Sequence, residues 1–131
     1  MEIKEYLNNI DDLSKLYEID NIKCSKKNDL YILKYNFNTL NNNSESWKKY
    51  CKGLVINKNK KIIMLPPMKA TEIDLNDLNN FNLDEILFEE LLDGIMINIF
   101  YDINDNCWKM STRSQINGKN TWNGSNFEDL F

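Results

Sequence analysis

Residues 89–101 read Glu89-Glu90-Leu91-Leu92-Asp93-Gly94-Ile95-Met96-Ile97-Asn98-Ile99-Phe100-Tyr101. An Asp-Gly pair between two apolar runs is a strong short-range signal for a β-hairpin turn. Downstream of it, Ile95, Ile97, Ile99 and Tyr101 alternate with Met96, Asn98, Phe100 and Asp102, the period-2 pattern of a strand. Upstream, Asp84–Glu90 reads as the strand leading into the turn. Asp102–Asn106 reads as a second turn, and Cys107–Arg113 as the returning strand.

Working outward, Leu30–Phe37 is a fourth strand candidate, followed by a polar loop at Thr39–Ser46. Gly53–Asn57 and Lys61–Leu65 form a hairpin joined by Asn57-Lys58-Asn59-Lys60, and Pro66-Pro67 ends it because proline cannot donate to a ladder. Ile3, Tyr6, Leu7, Ile10, Leu13, Leu16 and Tyr17 recur at helical spacing, predicting an amphipathic helix over 2–18. Asp74–Asn80 has room for one helical turn. Ser125-Asn126-Phe127-Glu128 has the form of a capping box and predicts a helix start, which the end at Phe131 cuts short. The element order implies an α+β fold with mostly antiparallel strands and flanking helices, and one domain over residues 1–131.

Composition narrows the chemistry. The chain has no histidine, so the commonest general base and zinc ligand is missing. Its three cysteines, Cys24, Cys51 and Cys107, are far apart and odd in number, a pattern of reduced thiols rather than of a zinc site or disulfide framework. No apolar run approaches the ~20 residues of a membrane span. No membrane partner and a soluble, cytoplasmic protein are therefore expected. The 22 asparagines and 15 lysines against one arginine are what AT-rich codons produce, as in large DNA viruses with AT-rich genomes.

The net charge of −4 is unevenly placed. Residues 46–70 carry seven lysines and no acid, and residues 71–93 carry eight acids and no Lys or Arg. Such runs are usually solvated faces, but the basic one also suits the rim of a phosphate site.

Three blocks, in order, resemble the bacteriophage-type RNA ligase family of covalent nucleotidyltransferases. Tyr50-Cys51-Lys52-Gly53-Leu54-Val55-Ile56 is similar to the family's Arg-Gly-hydrophobic strand, with Lys52 at the arginine. Leu65-Pro66-Pro67-Met68-Lys69 is similar to the segment before the nucleophile, with Ala70-Thr71 replacing an aromatic pair. Leu91-Leu92-Asp93-Gly94 stands at the Lys-x-Asp-Gly motif, and Met110-Ser111-Thr112-Arg113-Ser114 resembles a strand with a downstream basic or hydroxyl contact. Tyr35 matches an aromatic lining the nucleotide pocket.

The resemblance covers roughly residues 28–116. It implies ATP and Mg²⁺ as cofactors, ATP or 5′-phosphorylated RNA as partner, and a nucleotide pocket drawn from Tyr35, Lys52, Lys69, Asp93, Gly94 and Arg113. It also implies later motifs that do not follow in this sequence, so an incomplete nucleotidyltransferase domain is expected.

At the nucleophile position stands Leu91. A leucine side chain has no lone pair and forms no phosphoramidate, so no catalytic residue is assigned. Lys69 precedes the motif by more than twenty residues and is a poor replacement. Glu89 and Glu90 point to opposite faces of a strand and do not converge on a metal. Ser111 and Thr112 lack a histidine partner. Trp47, Trp108 and Trp122 offer stacking surfaces for bases, although such residues serve more often as core or surface anchors.

The resulting reading is an RNA ligase-like domain, inactive as written, that keeps a nucleotide or 5′-phosphate pocket. Two alternatives accompany it: a self-associating structural or virion-associated protein reusing the fold, and a fragment of an active ATP-dependent RNA ligase.

Overall fold

The computed structural model describes residues 2–38, 46–90, 92–117, 121–122 and 125–126. Among these the fold is α+β. A four-stranded antiparallel sheet has the order β1-β2-β3-β4, built from β1 (Ile22–Lys27), β2 (Leu30–Tyr35), β3 (Lys52–Asn57) and β4 (Ile62–Met64). A separate hairpin pairs β5 (Asn98–Asp102) with β6 (Cys107–Ser111). A third short pair joins β7 (Thr121–Trp122) to β8 (Ser125–Asn126), so a strand stands where the capping box predicts a helix start. Residues 127–131, and most of the loop read at 39–46, lie outside the described residues.

The helix expected over 2–18 is split. Helix α1 spans Ile3–Asn9, a 3₁₀ turn covers Leu13–Lys15, and α2 spans Leu16–Asp20. Asp12 causes the restart: its carboxylate accepts from the Ser14 backbone N–H at 2.9 Å and hydroxyl at 2.8 Å. A short polar side chain that captures a neighbouring N–H this way ends one helix and begins the next. Asn21, with φ +57, closes α2 and leads into β1. Strand β1 is absent from the sequence reading because lysines fill its exposed positions. Asn28 at φ +54 then turns the chain into β2, the left-handed conformation that asparagine tolerates.

The sheet has two packed faces. On one, α1 and α2 cover Leu33, Tyr35, Leu54 and Ile56, with Trp47 stacked on Tyr6 at 3.7 Å between ring centroids. Tyr6 donates its hydroxyl proton to Asp20, which also pairs with Lys48 at 2.7 Å. On the other face, Leu30, Ile32, Val55 and Met64 pack against Phe100 of β5 and Ile116. Alternation along β5 therefore turns Phe100 and Asp102 inward and leaves Ile99 62% exposed. Buried Asp102 is neutralised by Lys109 across the hairpin, Nζ to Oδ2 2.7 Å.

The hairpin predicted around Asp93-Gly94 does not form. Residues 84–90 are not a strand. Asn82 accepts from the Asp84 N–H and draws Leu83–Glu85 into a 3₁₀ turn, and four acids between 84 and 90 disfavour a paired strand. The turn expected at Asp74–Asn80 is present as a 3₁₀ helix over Leu75–Asn80 with a reciprocal Asp74/Asp77 cap. The β3–β4 hairpin and the β5–β6 hairpin form as expected, the second starting at Asn98 rather than Ile95.

Gly53 joins the two layers. It is the extra residue of a bulge, since Leu33 faces Leu54 while Lys34 faces Lys52. Its φ is +102, and a Cβ there would lie 3.0 Å from Arg113 Cα and 3.1 Å from the Thr112 carbonyl oxygen. Gly53→Ala is expected to cost about 2–4 kcal/mol, combining left-handed strain with overpacking against backbone; urea denaturation measures it. Lys109→Met leaves the Asp102 carboxylate buried without its partner, an expected loss of about 3–5 kcal/mol at neutral pH. The Lys109 hydrogen bond holds Asp102 below its ordinary carboxylate range. Wild-type stability from this group is therefore present above the unfolded pKa and lost as pH falls through the folded one. The gap between wild type and variant should narrow on acidification, as denaturation series at several pH values would record.

Candidate functional site

The sequence alternates Leu30-Tyr31-Ile32-Leu33-Lys34-Tyr35, which puts a lysine near the end of an otherwise apolar strand. The ladder sets Lys34 directly opposite Lys23 on β1 and Lys52 on β3. Directly opposed residues share a face with Cβ atoms about 4.5–5.5 Å apart, and like charges so placed repel. Three lysines thus form one row across three strands.

Arg113 joins this row from the segment after β6. Thr112 donates its N–H to Gln115 O at 2.9 Å and Asn117 to Met110 O at 2.7 Å, which folds residues 112–116 back over the sheet. The Lys34 ammonium donates to Ser114 Oγ at 2.7 Å. Arg113 is half-buried, its guanidinium carbon 4.6 Å from the Tyr35 ring centroid and 4.2 Å from that of Phe37. Its Nη2 donates to the Tyr35 carbonyl oxygen at 3.2 Å, while its Nε is buried with no hydrogen-bond partner among the described residues.

The electrostatics are those of an uncompensated cationic cluster. Burial, then the nearby Arg113 and Lys23, holds Lys34 below the usual lysine range. Burial likewise lowers Arg113, with Tyr35 opposing. Among the described residues, ion pairs are made by Lys48, Lys58 and Lys109, and Lys23, Lys34, Lys52 and Arg113 make none. Such a cluster favours an anion bound at its centre.

Of the residues expected at a pocket, the structure brings together Tyr35, Lys52 and Arg113. Tyr35 is a core residue whose ring lies beneath Arg113, edge-on to Phe37 at 5.6 Å. Lys69 lies on the irregular segment after β4, its N–H donating to Lys49 O at 3.0 Å. Asp93 and Gly94 are exposed on the long connection between β4 and β5, and open space surrounds the position of a Gly94 Cβ. Leu91 lies outside the described residues. Glu89 and Glu90 are exposed.

The aromatic and hydroxyl candidates separate in the same way. Trp47 is buried against Tyr6 and serves the core. Trp108 is exposed beside Tyr101, and the Trp122 side chain lies outside the described residues. Ser111 and Thr112 are buried, Ser111 Oγ without a hydrogen-bond partner.

Four residues of the cluster escaped the sequence reading: Lys23, Lys34, Phe37 and Ser114. Lys34 carried a signal, a charge within a buried strand. Lys23 carried none without β1.

Among the described residues no group of three cysteine, aspartate or glutamate side chains is placed to hold a metal, and no helix is long and apolar enough to cross a membrane. Cys51 is buried, which with nearby Asp20 raises its thiol to about 12; Cys24, half-buried, is raised to about 11 by burial. Neither is a thiolate nucleophile at neutral pH. No family model, curated protein or solved structure matches the chain.

An anion at this cluster should stabilise the charged form of Lys34 and raise its pKa. Affinity for inorganic phosphate should then be full below the pKa of free Lys34 and fall as pH rises through it toward the bound value. Calorimetric titrations across the alkaline range, with Lys34→Met as control, would show this fall in wild type and a flatter profile in the variant.

Proposed function

We propose that the protein is an RNA ligase-like domain that binds the phosphate end of a nucleotide or of 5′-phosphorylated RNA without transferring it. The observation that carries this reading is the row Lys23–Lys34–Lys52 with Arg113 beside it, four cations at one end of a sheet without a carboxylate partner among the described residues. Arg113 keeps guanidinium donors beyond the one given to the Tyr35 carbonyl, and these can meet a phosphate. Phe37, exposed at the same place, presents a face on which a base can stack. Gly53 lets the Arg113 backbone approach the sheet closely enough for all four groups to share one ligand.

Nucleotidyl transfer depends on positioning, charge neutralisation and a nucleophile. The cluster provides the cations, and the aromatic wall provides positioning. The sequence supplies leucine at position 91, where the resembled motif has lysine. Where Mg²⁺ accompanies ATP, it would shield the phosphates as substrate-bound counterion, with the lysines and Arg113 meeting the remaining charge. Binding without self-adenylylation is the expected behaviour.

Calorimetry with ATP, with and without Mg²⁺, and with a short 5′-phosphorylated oligonucleotide is the test. Saturable binding that weakens as salt rises is expected. Arg113→Lys should weaken it roughly tenfold through loss of bidentate contacts and stacking, and incubation with α-labelled ATP should leave no covalent adduct. Undiminished binding in Lys34→Met, Lys52→Ala and Arg113→Lys together would remove the site from consideration.

A further inference from the structure

Between β4 and β5 the described residues of 65–97 form no strand and no α-helix. Leu75, Leu83, Leu87, Phe88 and Leu92 are each between 55% and 82% exposed. Beyond Lys69, every backbone hydrogen bond found within this segment among the described residues is local. Soluble monomers rarely leave contiguous apolar patches of more than a few hundred Å² uncovered. None of its eight acids makes an ion pair among the described residues, and neither do Lys23, Lys26, Lys27 and Lys34 on the sheet. Complementary charges thus occur on one chain and do not meet within it.

The sheet offers a receiving surface. Strand β1 is an edge, so one side of its backbone is unpaired. A cleft of about 410 Å³ lies beside it, floored by Ile32 and Ile116 and rimmed by Lys26 and Lys27. On the opposite face a second cleft of about 450 Å³ is lined by Leu13, Cys24 and Tyr31, with Asp11, Asp12, Lys58 and Lys60 at its rim.

We infer that residues 86–90, Ile-Leu-Phe-Glu-Glu, of a second copy of this chain add as a strand along the β1 edge. Successive side chains of an added strand point to opposite faces. Leu87 and Phe88 would then enter the two clefts, and Glu89 and Glu90 would reach the lysine rims. Reciprocal exchange gives a closed two-fold dimer. This assembly does not require the anion-site reading, although its acids and a phosphate would compete for the charge near Lys34.

Light scattering coupled to size exclusion at about 100 μM protein, where contacts of micromolar strength are populated, would decide it. The expected result is a dimer at low salt that dissociates as salt rises. Leu87→Ser with Phe88→Ser should give a monomer whose thermal midpoint matches that of wild type at high salt, where wild type is also dissociated, since both side chains are exposed. Lys26→Glu with Lys27→Glu should be monomeric, as should Glu89→Lys with Glu90→Lys, and mixing these two variants should restore a dimer. A monomer at all salt concentrations, or an oligomer that persists in the double-serine variant, would overturn the inference. Failure of phosphate binding alone would leave it untouched.

Discussion

At Gly53 the two layers of the protein meet backbone to backbone. The bulge there shifts the β2–β3 register, so that Lys34 faces Lys52 instead of Gly53. The same residue admits the Arg113 backbone so closely that a Cβ there would lie 3.0 Å from Arg113 Cα. Core packing on the second face, through Phe100 and Ile116, holds the β5–β6 hairpin and the turn after it against that contact. The cationic cluster is therefore a consequence of one glycine conformation supported by two apolar patches. Side-chain chemistry alone would not assemble it, because four like charges repel unless the backbone fixes them.

That repulsion sets the row apart from the other charges of the fold. Elsewhere the fold neutralises its buried charges locally: Asp102 with Lys109, Asp20 with Lys48 and Tyr6. Each of those pairs sits under a packed element and rigidifies it. Among the described residues the Lys23–Lys34–Lys52 row has no such partner, and the acids between 71 and 93 have none either. A chain that pairs its charges where stability requires it, and leaves two opposite sets open, keeps those sets available to other molecules.

The sequence was most legible where local chemistry and tertiary packing agree. Asn57–Lys60 announced the β3–β4 hairpin, and Asp102–Asn106 announced the β5–β6 turn. Asp74 announced its capped turn. Legibility failed where a short-range signal had no partner to act on. Asp93-Gly94 is a good hairpin turn only if both flanks pair, and the acid-rich flank at 84–90 does not. At the capping pattern, Ser125 and Asn126 pair with β7 as a short strand, and Phe127 and Glu128 lie outside the described residues. Strand β1 was invisible because its exposed lysines erase the apolar alternation, although its register with β2 is unbroken. With β1 missing, neither the lysine row nor Lys34's place in it was open to inference. Tyr35, Lys52 and Arg113 were found through a resemblance in motif order, and a bulge that no periodicity reveals is what brings them together.

The position of the Asp-Gly pair bears on how chemistry and fold come apart in this chain. A nucleotidyltransferase nucleophile has to be held rigidly against the phosphate cradle, which a paired hairpin next to the sheet would do. Here Asp93 and Gly94 lie on the open, acid-rich connection between β4 and β5, and Lys34, Lys52 and Arg113 sit on the ordered sheet and its attached turn. A carboxylate-rich segment brought toward those cations would compete with a phosphate for the same charges. Were a phosphate bound at the cluster, a connection that lies away from it would leave those charges to the ligand. Under the proposed reading, leucine at position 91 and the apolar exposure around it fit one physical picture, in which the segment presents a surface instead of a nucleophile.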